Sequence, residues 1–200
     1  MVKSIRNPKS EIRNKALYPV ILAVPDAVKE LTPKERVQFL SRQARQALKM
    51  SAEKSGIRLN ALEQDERRAP LPSNGTYWSI SHKNEYVGGV VSPLPTGIDI
   101  EKISSRAKSL FRKTADGAEW ALADRTFTTF FRYWTAKEAV LKAAGIGLRD
   151  LSKCRVTGVP GANHLDLVYG GSDWRVEHHF FNNHIASIVK NDFLIEWTIA

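Results

Sequence analysis

The chain has almost no cysteine. Cys154 is the one thiol among 200 residues, so no internal disulfide can form and no cysteine cluster can hold zinc. It is expected to be a buried, unreactive thiol, and a cytoplasmic location follows. Long apolar runs are missing too, since none reaches the roughly 18 residues that a membrane span needs. The run Pro19 to Val24 is far shorter and reads as a buried strand. Lys3, Arg6 and Lys9 near the start have no apolar stretch directly behind them, which argues against a secretory signal. Acidic charge is scarce: 21 Asp and Glu oppose 30 Lys and Arg, for a formal net charge of +9. Such a chain prefers anionic partners, whether nucleic acid, a phosphorylated cofactor or an acidic protein.

What is present is a globular composition. At 42% hydrophobic the chain can build a core and is not a disordered polymer. Its length suits one large domain or two small ones. A helix is predicted from Pro33 to Ser55. Thr32 caps it, Pro33 suits the first turn, and Glu35 completes a capping box. Leu40, Ala44, Ala47 and Leu48 recur at helical spacing, and Gly56 ends the element. The polar stretch Asn60 to Arg68 follows, then Pro70, Pro72 and Asn74-Gly75, which are loop and turn signals. Tyr77 to His82 and Tyr86 to Ser92 read as strands joined by the short loop Lys83-Asn84-Glu85. The segment Ser92 to Gly97 breaks the pattern as a linker would, and Ile98 to Lys102 reads as a short strand. Helical segments are expected at Lys108 to Arg112 and Gly117 to Ala123. The strongest helix runs from Thr128 to Ala144 and stops at Gly145-Ile146-Gly147. From Arg155 to Ala200 the chain alternates in the manner of strands.

The two halves echo each other. Trp78-Ser79-Ile80-Ser81-His82 resembles Trp174-Arg175-Val176-Glu177-His178, and each precedes a second strand-like run. Ala47-Leu48-Lys49 echoes Val140-Leu141-Lys142 in the same order. The expected fold is therefore α+β: a pseudo-twofold pair of similar subdomains, residues 1–95 and 96–200, each a small antiparallel sheet packed with a long helix.

Three constellations can carry chemistry. In a strand Gly97-Ile98-Asp99-Ile100-Glu101, Asp99 and Glu101 project from one face. Two hard oxygen donors side by side suit Mg²⁺. In the helix Trp134-Thr135-Ala136-Lys137-Glu138-Ala139-Val140-Leu141-Lys142, Glu138 and Lys142 are i, i+4 neighbours. That face offers a third carboxylate to a metal and a cation to a phosphate. Ser81 and His82, at a strand end before a tight turn, can hold a phosphate through charge-assisted hydrogen bonds. Arg68, Arg42 and Arg45 are further phosphate candidates. His178, His179 and His184 offer a different, metal-binding reading, but adjacent histidines on a strand face opposite ways and chelate poorly together.

Taken in order, these motifs resemble the 4′-phosphopantetheinyl transferase superfamily, in its longer, monomeric, two-subdomain type (surfactin-synthetase-activating or enterobactin-synthetase-component-like). The agreement is good from Arg68 to Leu148 and looser elsewhere. The resemblance implies that coenzyme A lies between the two subdomains and gives its phosphopantetheine arm to a serine of an acidic acyl or peptidyl carrier protein. It implies Asp99, Glu101 and Glu138 as Mg²⁺ ligands and Lys142 near the phosphates. Ser81, His82, Arg68, Arg42 and Arg45 would face coenzyme A, with Glu138, Lys142 and Asp99 carrying the reaction. The family often has another glutamate between its motifs, a place that Glu119 fills here if Ala115 and Asp116 do not. A basic nucleic-acid-binding protein is the rival reading. It rests on net charge and five tryptophans but has scattered basic residues, no recognisable binding motif, and no use for the acidic set.

Overall fold

A computed structural model describes residues 16–59, 61–66, 69–146 and 150–200. Its first long helix, α1 (Pro33–Lys54), starts where local chemistry directs it. The Thr32 hydroxyl accepts from the Glu35 amide at 3.4 Å, and the Glu35 carboxylate accepts from the Thr32 amide at 3.0 Å. Donors that the first helical turn would leave orphaned are thus satisfied reciprocally. Leu40, Ala44, Ala47 and Leu48 face inward and are buried. Gly56, at φ +63°, follows the helix in the left-handed region that glycine tolerates best.

This helix packs on strands β2 (Val20–Ala23), β3 (Tyr77–His82) and β4 (Tyr86–Ser92). β3 and β4 form the expected hairpin, with Tyr77 opposite Ser92 and His82 opposite Val87. A Cβ on Gly89 of β4 would lie 2.4 Å from the Leu48 amide nitrogen, so the close approach of helix and sheet depends on that glycine. Val20, Leu22, Leu40, Ala44, Ala47 and Val87 form the core between them. Full burial of an aliphatic side chain of the larger kind is worth about 1.5–3 kcal/mol.

The second layer has five antiparallel strands in the order β5-β9-β8-β7-β6. These are β5 (Ile98–Lys102), β6 (Arg155–Gly161), β7 (His164–Tyr169), β8 (Ser172–Phe181) and β9 (His184–Val189). Two short helices, α2 (Lys108–Thr114) and α3 (Gly117–Trp120), lead into α4 (Phe127–Ala143). α4 packs across β5, β8 and β9. Its apolar residues Phe130, Phe131, Tyr133, Ala139, Val140 and Leu141 share a core with Leu165, Val176 and Ile185. Cys154 is buried in this core, and burial pushes its thiol up to about 12, so it is inert as expected.

The α+β architecture of small antiparallel sheets packed against helices is borne out. The strand ends of the chain depart from the expected antiparallel pattern. β10 (Leu194–Ile195) pairs parallel with β1 (Ala16–Leu17), and β11 (Thr198–Ile199) pairs parallel with β2. The end of the chain therefore completes the first sheet, giving the order β11-β2-β4-β3.

The two sheets meet at their edges. The Ser79 hydroxyl of β3 accepts from the Ile98 amide of β5 at 3.1 Å, and the Ser81 hydroxyl accepts from the Ile100 amide at 3.2 Å. Both serines are buried. They satisfy donors on the edge of β5 that faces away from β9, donors that burial would otherwise leave unpaired. Ser79→Ala should leave the Ile98 amide buried without its partner and lower stability by about 1–3 kcal/mol. Urea unfolding measures this, and an unchanged midpoint at unchanged slope would contradict it.

Candidate active site

The edge where β3 meets β5 opens into a cleft of about 740 Å³. α1 contributes Arg45 and Val37, β3 contributes Ser81 and His82, β5 contributes Asp99 and Glu101, and α4 contributes Trp134, Glu138 and Lys142. A groove of similar size, about 800 Å³, lies over β7 and β8 beside Leu94 and Trp174. Its Arg175 is paired with Asp166 at 2.8 Å. That groove holds none of the three constellations that can carry chemistry, and the first cleft holds residues of all three.

The strand and helix periods place Asp99, Glu101 and Glu138 on the wall of one cleft. Asp99 is buried, at 5% exposure, and Glu138 is at 9%. Lys142 Nζ donates to Asp99 Oδ1 at 2.8 Å and to the Ile98 carbonyl at 2.8 Å. The Ser81 hydroxyl donates to the same Asp99 Oδ1 at 3.1 Å. Asp99 Oδ2 is buried and has no hydrogen-bond partner. Lys83 Nζ stands 2.7 Å from Glu101 Oε1. Burial works against the Lys83 ammonium, but Glu101, Asp99 and Glu138 outweigh it and raise its pKa.

Electrostatics follow from this crowding. Burial pushes Glu138 up to about 7, the nearby Asp99 carboxylate adds to the shift, and Lys142 and Lys83 oppose it. His82 touches solvent, yet partial enclosure and then Lys142 and Lys83 depress its pKa. The imidazole is thereby biased to its neutral form, a hydrogen-bond partner rather than a further cation. Asp99, Glu101 and Glu138 offer only hard oxygen donors, and the unpartnered Asp99 oxygen is the kind of atom that a cation completes. The lysines stand on two of these carboxylates, and no three His, Cys, Asp or Glu among the described residues form a ready cation cage.

The other expected residues fall in several places. Arg45 lines the cleft and donates to Ser41 Oγ at 2.6 Å. Arg42, exposed on the same helix, is not among the lining residues. Arg68 lies outside the described residues, as do Gly147 and Leu148 of the closing glycine motif. Glu119 is away from the cleft: it is buried against Lys137, at 2.6 Å, and accepts the Val156 amide at 2.8 Å. Lys137 and Glu138, adjacent in the helix, thus serve different sides of it. The histidines of the metal reading are dispersed in function. His178 Nδ1 is 2.7 Å from Ser187 Oγ, His179 stacks on Trp197, and His184 Nε2 is 2.7 Å from Glu85.

Sequence reasoning missed Lys83 and Trp134 as cleft residues and missed the structural duty of Ser79. Lys83 directly follows His82, but a lysine in a hairpin turn carries the signal of a solvated charge. The Ser-x-Ser spacing was the available clue to the edge contact, since i and i+2 share a strand face.

Comparison with known proteins places these residues in a family context. Residues 95–189 match the model described as the 4′-phosphopantetheinyl transferase superfamily. The chain is 30% identical over 90 residues to "4′-phosphopantetheinyl transferase gsp" of Aneurinibacillus migulanus, covering 42% of this chain and 38% of that protein. It is 34% identical over 77 residues to "4′-phosphopantetheinyl transferase psf-1" of Bacillus pumilus, covering 36% of this chain and 33% of that protein. The match therefore spans only about a third of these relatives' length. The resemblance read from the motifs is borne out over this stretch, which holds Asp99, Glu101, Glu138 and Lys142.

The buried pair outside the cleft yields a direct test. Lys137→Met should strand the Glu119 carboxylate in the core and lower stability by about 3–5 kcal/mol. A variant as stable to urea as the parent would refute a structural role for the pair.

Proposed function

We propose that this protein transfers the 4′-phosphopantetheine group of coenzyme A to a serine hydroxyl of an acyl or peptidyl carrier protein, acting as a Mg²⁺-dependent monomer. The observation that carries this reading is the convergence of Asp99, Glu101, Glu138 and Lys142 with His82 in one cleft, contributed by both sheets and both long helices. The two halves would form a pseudo-dimer with coenzyme A between them. Their division near residue 95 leaves the metal motifs in the second half.

Asp99, Glu101 and Glu138 would hold Mg²⁺, which when bound neutralises pyrophosphate charge. The carrier serine oxygen attacks the β-phosphorus of coenzyme A and forms a new P–O bond. The bond from that phosphorus to the bridging oxygen breaks, and its electron pair leaves with 3′,5′-ADP. The serine proton passes to a cleft carboxylate. Lys142 is fixed at two points and presents a preorganised cation to the developing charge. His82 and Arg45 supply hydrogen bonds to the phosphates of coenzyme A, and Arg42 and Arg68 are the further basic residues expected to meet them. Ser81 acts at one remove by holding Asp99. A net charge of +9 would steer an acidic carrier protein toward the cleft.

The test is the intact mass of an apo acyl carrier protein after incubation with the enzyme, coenzyme A and Mg²⁺. A gain of one phosphopantetheine that EDTA abolishes is expected, and no gain across acyl and peptidyl carriers would sink the reading. Glu138→Ala should reduce the rate by about 100-fold or more with the fold retained, because the cleft loses a carboxylate and no core packing. His82→Ala should raise the coenzyme A KM by about tenfold or more, the loss of a hydrogen bond to a charged group. An unchanged KM would remove His82 from the phosphate site.

A further inference from the structure

Three carboxylates of the cleft are met by two ammonium groups, and the two are held differently. Lys142 is anchored twice, on Asp99 and on the Ile98 carbonyl, and its side chain is 27% exposed. Lys83 rests on Glu101 alone among the described residues, and its side chain is 40% exposed. It sits in the turn between β3 and β4, where a lysine stem can swing without disturbing packing. Lys83 and Glu101 also border a second recess, lined by Lys29, Arg36, Glu85, Lys102 and Arg106. The Lys83 charge is attracted by all three cleft carboxylates, Glu101 most strongly.

We infer that Lys83 is a displaceable internal counterion: it occupies the cation position at Glu101 in the free protein and must leave before Glu101 can bind a divalent metal. This rests on the reading of Asp99, Glu101 and Glu138 as metal ligands. The Lys83 ammonium and a divalent cation both seek the Glu101 oxygens, and both cannot take them at once. The pair weakens metal binding to the free protein. A bound pyrophosphate gives the released ammonium a new anionic partner, so Lys83 couples metal affinity to the presence of coenzyme A. A partly exposed ion pair is a modest competitor, and its loss also removes a repelling charge from the site.

The test is the binding of Mn²⁺ alone to the whole protein, without coenzyme A, read by the electron paramagnetic resonance signal of free Mn²⁺. Lys83→Met should bind Mn²⁺ about two- to fivefold more tightly than the parent. Lys83→Arg, which keeps the charge, should stay near the parent value. The double change Lys83→Met with Glu101→Gln should lose the gain. Equal or weaker binding by Lys83→Met would overturn the inference while leaving the metal site and the transfer reaction in place. Mn²⁺ binding to neither protein, together with EDTA-insensitive transfer, would overturn the inference and the metal ligands as well. Tighter binding by Lys83→Met without carrier modification by the parent would uphold the counterion and reject the transferase reading.

Discussion

Two serine hydroxyls joining two edge strands hold this protein in its working shape. Ser79 and Ser81 of β3 accept the Ile98 and Ile100 amides of β5. The β5 edge would otherwise end in unpaired amides, and a buried unpaired amide is destabilising by about the full desolvation penalty of the group. A direct ladder between β3 and β5 would merge the sheets. The side-chain contact instead joins them while keeping the backbones apart, and the cleft opens along that seam. Ser81 also fixes Asp99, so the interaction that joins the sheets also orients the first carboxylate of the site.

The seam explains the charge arrangement. β5 presents Asp99 and Glu101 on one face because its side chains alternate. α4 lies over that face closely enough that a Cβ on Gly97 would fall 1.9 Å from the Ala139 carbonyl oxygen. Glu138 and Lys142 thereby come down onto Asp99. Burial in the cleft and then the nearby Asp99 carboxylate raise Glu138, and the lysines offset part of the shift. The acidic cluster is strained in the sense that it calls for cations, and the protein provides them from its own side chains until a substrate complex can.

Much of this was legible without coordinates because it depends on short-range rules. The capping box at Thr32, the strands flanking Lys83-Asn84-Glu85 and the helix through Glu138 all appear within a residue or two of expectation. Local hydrogen bonding and side-chain period decide such elements. Glu119 was less legible. Its register beside Ala115 and Asp116 was ambiguous, and its partner Lys137 lies on a different helix. The short parallel pairs at β1 and β11 carried no signal, since two-residue strands have no measurable period.

The sequence alone therefore settled element type, the common face of Asp99 and Glu101, the i, i+4 pairing of Glu138 with Lys142, and the family resemblance. Each of these depends on neighbours within a turn of helix or two residues of strand. The folded chain decided which faces meet: that Lys142 seats on Asp99, that Lys83 covers Glu101, that Lys137 turns away to Glu119, and that Ser79 serves structure. Those contacts join residues far apart in the chain, and their partners are chosen by burial and by the need to satisfy every buried polar group. No local pattern encodes that choice.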